Sequence, residues 1–169
     1  MRKLTILKSL VDFIWIITCI PLIPILLFFA VYIFINDEAI SLFINSGDGA
    51  MDFSSVWTKV FLILLFVLIY VVIYCVYLFR KTLRTFQQRK PFSTAVIDNF
   101  NTIGKLLVIS GISFSLLVFS YKLVFKAKFE ISLGVTPYLG IVCLGLFFLV
   151  LSEVFKIAKT AKEENELTV

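Results

Sequence analysis

The chain has 169 residues, of which 60% are hydrophobic and 16% charged, with a formal net charge of +5 and no His. Soluble domains carry roughly 45–50% apolar and 25% charged residues, so this composition excludes an ordinary water-soluble fold and points to a bilayer. The lack of His removes the commonest general base and transition-metal ligand, and three Cys in three separate apolar stretches match no disulfide or zinc spacing.

The first apolar stretch, Leu10–Ile35, contains one acid, Asp12. As a helix it would reach roughly 39 Å, more than the ~30 Å hydrocarbon core, so it tilts, bends or protrudes. Pro21 and Pro24 are the expected bend. Arg2 and Lys3 resemble the charged start of a signal peptide, but the apolar run is too long and no small-x-small site follows it, so we read a retained anchor. The first outer loop, 36–55, holds Asp37, Glu38, Asp48 and Asp52 and no basic residue; within it Ala39–Ile44 is a weak strand pattern followed by a Ser-Gly-Asp-Gly turn.

The second span is Val56–Phe79. Tyr70, Tyr74 and Tyr77 recur along it at helical spacing, and Lys81 and Arg84 continue their line. This face is a candidate ligand cleft. The plainer reading has Tyr77 in the interfacial aromatic belt and Tyr70 and Tyr74 bonded to neighbouring helices. Arg80 to Lys90 (RKTLRTFQQRK) is predicted to carry the helix beyond the membrane surface, and Lys90-Pro91-Phe92-Ser93 to break it, with Ser93 capping a third helix from Thr94. In this 80–102 hairpin, Arg80, Lys81, Arg84, Arg89 and Lys90 are candidate contacts for a cytoplasmic partner or for anionic lipid.

The third span, Ile103–Tyr121, lies between Lys105 and Lys122. Gly104 and Gly111 fall seven apart, and Gly111 with Ser115 forms a small-xxx-small pair, so this helix is predicted to pack closely on a neighbour, in the chain or in a homo-oligomer. In the second outer loop, 122–136, Phe125–Leu133 alternates apolar and polar residues as a half-buried strand would. Together with 39–44 it could form a small cap. The fourth span, Pro137–Ile157, opens with a Pro suited to a first helical turn, and Gly140 and Gly145 are further packing candidates. Asp12 and Glu153 sit at the shallow edge of the apolar zone, where ion pairs with Lys8, Lys105 or Lys156 are expected. The tail, Lys156–Val169, places Lys156, Lys159 and Lys162 before Glu163, Glu164 and Glu166.

Twelve basic residues fall on the side holding both termini and the 80–102 hairpin and four on the other, which by the positive-inside rule puts both ends in the cytoplasm. The fold class read from the residues is therefore an all-α integral membrane protein: four transmembrane helices, N-in and C-in, with a short extracytoplasmic β-hairpin-like cap. The excess of basic residues is explained by membrane edges and anionic lipids, not by direct nucleic-acid binding. No catalytic carboxylate pair and no nucleophile–base cluster stands out, so neither an enzyme nor a cofactor is expected.

Lys90-Pro91-Phe92-Ser93, Asn101-Thr102-Ile103-Gly104-Lys105 and the ending Glu153-Val154-Phe155 … Lys162-Glu163-Glu164-Asn165-Glu166-Leu167-Thr168-Val169 carry a resemblance to a bacterial family of four-span membrane proteins known as domain of unknown function 2975. The family's ending resembles EVF followed by KEENDLTI, from which this chain departs at Glu166 and Val169. The resemblance implies four spans in a bacterial inner membrane and no established activity. Frequent pairing of such genes with a small helix-turn-helix regulator implies a membrane component of a regulatory or stress-response pair. In that setting Glu163, Glu164, Asn165 and Leu167 become candidate partner contacts. A small transporter or hydrophobic-ligand binder using the Tyr70–Tyr74–Tyr77 face is the alternative.

Overall fold

A computed structural model describes residues 2–35, 56–88, 91–126 and 136–167. Every regular element among them is helical. In chain order they are α1 (Arg2–Ile14), a π-helical segment (Trp15–Cys19), α2 (Ile20–Ile35), α3 (Val56–Gln87), α4 (Thr94–Lys126) and α5 (Pro137–Leu167). The first three run on without a break, so four helices are long and apolar enough to cross a membrane. Lipid offers no hydrogen bonds to the backbone, and helices satisfy their own, which is why these apolar runs take this form. The helices outrun their apolar cores. At 32, 33 and 31 residues, α3, α4 and α5 reach about 46–50 Å, well past a ~30 Å hydrocarbon layer.

The irregularity in the first span lies one turn ahead of the prolines. Pro21 has no amide hydrogen, and its ring crowds the carbonyl of Ile17, four residues earlier. The ladder widens there: the Ile20 N–H donates to the Trp15 carbonyl, a five-residue step. Pro24 is accommodated inside α2. In place of the bend expected at Pro21 and Pro24, the helix runs on through both prolines and its hydrogen-bond ladder widens at 15–19.

The other ends follow local chemistry. Thr136 precedes α5, and its carbonyl accepts from the N–H groups of Leu139 and Gly140, with Pro137 in the first turn as predicted. Ser93 occupies the cap position of α4, but the cap differs from the one expected. Its carbonyl accepts from Val96 and Ile97, whereas its hydroxyl is buried with no hydrogen-bond partner among the described residues. Phe125 and Lys126, assigned above to a strand, belong to the last turn of α4. The remainder of that strand, 127–133, lies outside the described residues, as do the whole of 39–44 and the Ser46–Gly49 turn.

The helices pack in a row. The first span lies against α3, α3 against α4, and α4 against α5, the last being the most extensive contact. At the α4–α5 crossing two glycines face each other: a Cβ on Gly104 would stand 2.7 Å from a Leu149 side-chain carbon and 2.9 Å from the Gly145 carbonyl oxygen, and one on Gly145 would stand 2.9 Å from the Gly104 carbonyl oxygen. Gly111 gives the same closeness to Val142 and the Tyr138 carbonyl. The predicted small-residue face of the third span is thus used inside the chain. Gly140 has nothing within 4 Å and takes no part, and Ser115 lies exposed beside a shallow α4–α5 groove. A hydroxyl adds to this seam, Ser152 donating to the Ile97 carbonyl at 2.9 Å.

Two apolar seams share α3. One joins Cys75 and Leu78 to Val96, Phe100, Ile103 and Leu107 of α4 and Phe148 of α5; the other joins Ile73 to Cys19 and Leu26 of the first span. Outward faces remain apolar: Phe28, Phe34 and Phe147 are more than half exposed. Water would not tolerate so wide an apolar surface, and lipid does.

Candidate functional site

The N-terminal part of α1, the end of α3, the start of α4 and the end of α5 gather at one end of the molecule, here called the terminal end. Lys8 Nζ donates to Gln87 Oε1 at 2.9 Å, and Arg80 Nε donates to Asp12 Oδ1. The acid at the edge of the first span is therefore paired with Arg80 of α3, in place of the lysines expected. Glu153, the other shallow acid, is exposed.

Two clefts open at this end. One, of about 320 Å³, lies between α1 and α3 and is lined by Lys8, Tyr77, Arg80, Lys81 and Arg84. The other, of about 290 Å³, lies between the Pro91–Ser93 turn and α5, where Lys159, Lys162, Glu163 and Glu166 form its second wall. On that wall Lys159 reaches Glu163 at 3.6 Å and Lys162 reaches Glu166 at 3.5 Å, one helical turn apart. Exposed pairs of this kind add little stability. They do fix which charges the turn meets.

Beneath the second cleft is an aromatic cluster absent from the sequence reading. The Phe155 ring centroid lies 5.4 Å from Phe86, 5.6 Å from Phe100 and 5.9 Å from Phe92. Phe148 continues it one layer deeper, 5.6 Å from Phe79 and 5.7 Å from Phe100. The rings tie α3, the turn, α4 and α5 together. Spacings of seven between Phe79 and Phe86 and between Phe148 and Phe155 are the signal in the sequence.

The tyrosine face divides. Tyr70 donates its hydroxyl to the Ile23 carbonyl of α2 at 2.9 Å, as the plainer reading required. Tyr74 and Tyr77 are about half exposed and stack on each other, and Tyr77 also lies 5.7 Å from the Trp15 ring. Tyr77 lines a cleft at the terminal end. The apolar cavity, about 150 Å³, is elsewhere, between α3 and α4 near Phe61, Leu65, Phe114 and Tyr121.

Of the candidate contact residues, Arg80, Lys81 and Arg84 come together in the first cleft and Glu163 lines the second. Glu164 and Asn165 are exposed on α5. Arg89 and Lys90 lie outside the described residues, and Leu167 is placed only as the last residue of α5. No group of three or more Cys, Asp or Glu gathers among the described residues, and Cys19, Cys75 and Cys143 are free thiols on separate helices.

The family model described as Protein of unknown function (DUF2975) matches residues 15–169. The chain belongs to that family. The match takes in the first apolar helix from Trp15 onward, the other three in full and both walls of the turn–tail cleft, and the four long apolar helices mark this DUF2975 member as a multi-pass membrane protein. No curated protein and no solved structure matches it.

Proposed function

We propose that this DUF2975 protein is a non-enzymatic component of a regulatory or stress-response pair in a bacterial inner membrane, and that its terminal end engages a cytoplasmic helix-turn-helix regulator. One observation carries the reading. The Pro91–Ser93 turn and the Lys159–Glu166 face of α5 stand far apart in sequence yet wall one cleft above the Phe86–Phe92–Phe100–Phe155 cluster. The turn is among the segments that carry the resemblance to the family, and the tail is its most specific part. A rigid aromatic base with a charged rim is the anatomy of a protein-docking surface. The excess of basic residues toward this end supports its facing the cytoplasm.

The transporter or ligand-binding alternative gains less. The Tyr70 hydroxyl is committed to a helix carbonyl, and the apolar cavity lies away from the tyrosine face. The test is a pull-down of the regulator by the membrane-embedded protein, full length against a truncation after Ala161. We expect the truncated form to lose most of the recovery; equal recovery would discard the role of the tail.

A further inference from the structure

We infer that the cleft between α1 and α3 is a binding site for the phosphate of an anionic phospholipid headgroup. The inference does not rest on the regulatory reading, which uses the other cleft of the terminal end. Tyr77, Arg80, Lys81 and Arg84 follow one another at i, i+3, i+4 and i+7, so α3 presents them along one face, and Lys8 supplies the other wall across about 320 Å³. Four cations meet one carboxylate, Asp12, which leaves a local charge of about +3.

The walls are held by part of that charge and the rest is free to bind. Lys8 is anchored on Gln87, and Arg80 gives Asp12 its Nε, one donor of a five-donor fork. Lys81 and Arg84 are exposed and make no ion pair among the described residues. A tetrahedral phosphate accepts from several such donors at once, and Arg is suited to it geometrically.

Depth selects lipid over a soluble anion. Trp15, Tyr74 and Tyr77 form a contiguous aromatic group on the apolar side of the cleft, the side chains that settle at the headgroup boundary. The cations stand at most two turns beyond it, at the level of lipid phosphates. Tyr74 and Tyr77, 49% and 43% exposed, offer surface that acyl chains would cover and that free phosphate would leave bare.

Trp15 reports directly on occupancy because its ring lies 5.7 Å from that of Tyr77. In the full chain carrying Trp57→Phe, at a site 68% exposed and far from the cleft, it is the only tryptophan. The detergent-solubilised protein is titrated with short-chain phosphatidylglycerol, with short-chain phosphatidylcholine and with inorganic phosphate. We expect a saturable change in Trp15 emission with phosphatidylglycerol and none at equal concentration with the other two. Lys81→Gln with Arg84→Gln should weaken binding by about tenfold or more, since each basic residue near an anionic headgroup contributes on that scale. The charge-matched pair Lys105→Gln with Lys156→Gln should stay within about twofold of the parent. Equal responses to the two lipids, or equal weakening by the two charge-matched pairs, would overturn the site. A phosphate response matching that of the lipid would assign it to a soluble anion and overturn the lipid.

Discussion

Tyr70 and Tyr74 stand one turn apart on α3 yet meet different surroundings. The Tyr70 hydroxyl reaches the Ile23 carbonyl at 2.9 Å, whereas the Tyr74 ring stacks on Tyr77 and is half exposed. Tyr70→Phe should cost about 0.6 kcal/mol and at most ~1.7, the range for interhelical hydrogen bonds in membranes, while Tyr74→Phe should be neutral. Thermal unfolding of the two variants in one detergent checks the difference. Asp12 teaches a related lesson: its shallow position and need for a cation could be read directly, but Arg80, 68 residues away, could not. Ser93 is the converse, a residue whose type and place signal a side-chain cap while its buried hydroxyl leaves capping to the carbonyl.

The helices themselves were legible because lipid leaves an apolar chain no other way to satisfy its backbone. Which faces meet was legible mainly where side chains vanish or where phenylalanines recur seven apart. In a helix apolar all round, a leucine facing lipid and one facing a neighbour look alike, so the seam through Leu26 and Ile73 left no mark. Glycine is the exception, and even it needs the partner helix to decide. Gly104→Ala would drive a methyl group against Leu149 and the Gly145 carbonyl, and should destabilise the α4–α5 pair by about 1–3 kcal/mol. Gly140→Ala meets only open space and should leave the melting temperature unchanged or slightly raised. Equal shifts for the two would mean that α4 and α5 do not cross at Gly104 and Gly145.

For the molecule as a whole, α1 begins and α5 finishes at the same end. In a background without native cysteines, Lys3→Cys and Asn165→Cys should react with an impermeant maleimide only after cells are opened, and Ser46→Cys in intact cells. Labelling of positions 3 and 165 from opposite sides would break the scheme. The end itself could be located from its basic residues. Its two clefts could not, because each draws its walls from segments that only folding brings together.

The row-like packing has a mechanical consequence. Among the described residues the first span is fastened along one margin, to α3, while α4 is gripped on both flanks. A span held like a leaf on a single hinge should answer to the thickness and lateral pressure of the surrounding lipid with less resistance from the other helices than α4 would meet. The π segment at 15–19 lies on the same stretch as Trp15, so flexing of that leaf would be felt first beside the Arg80–Asp12 clasp.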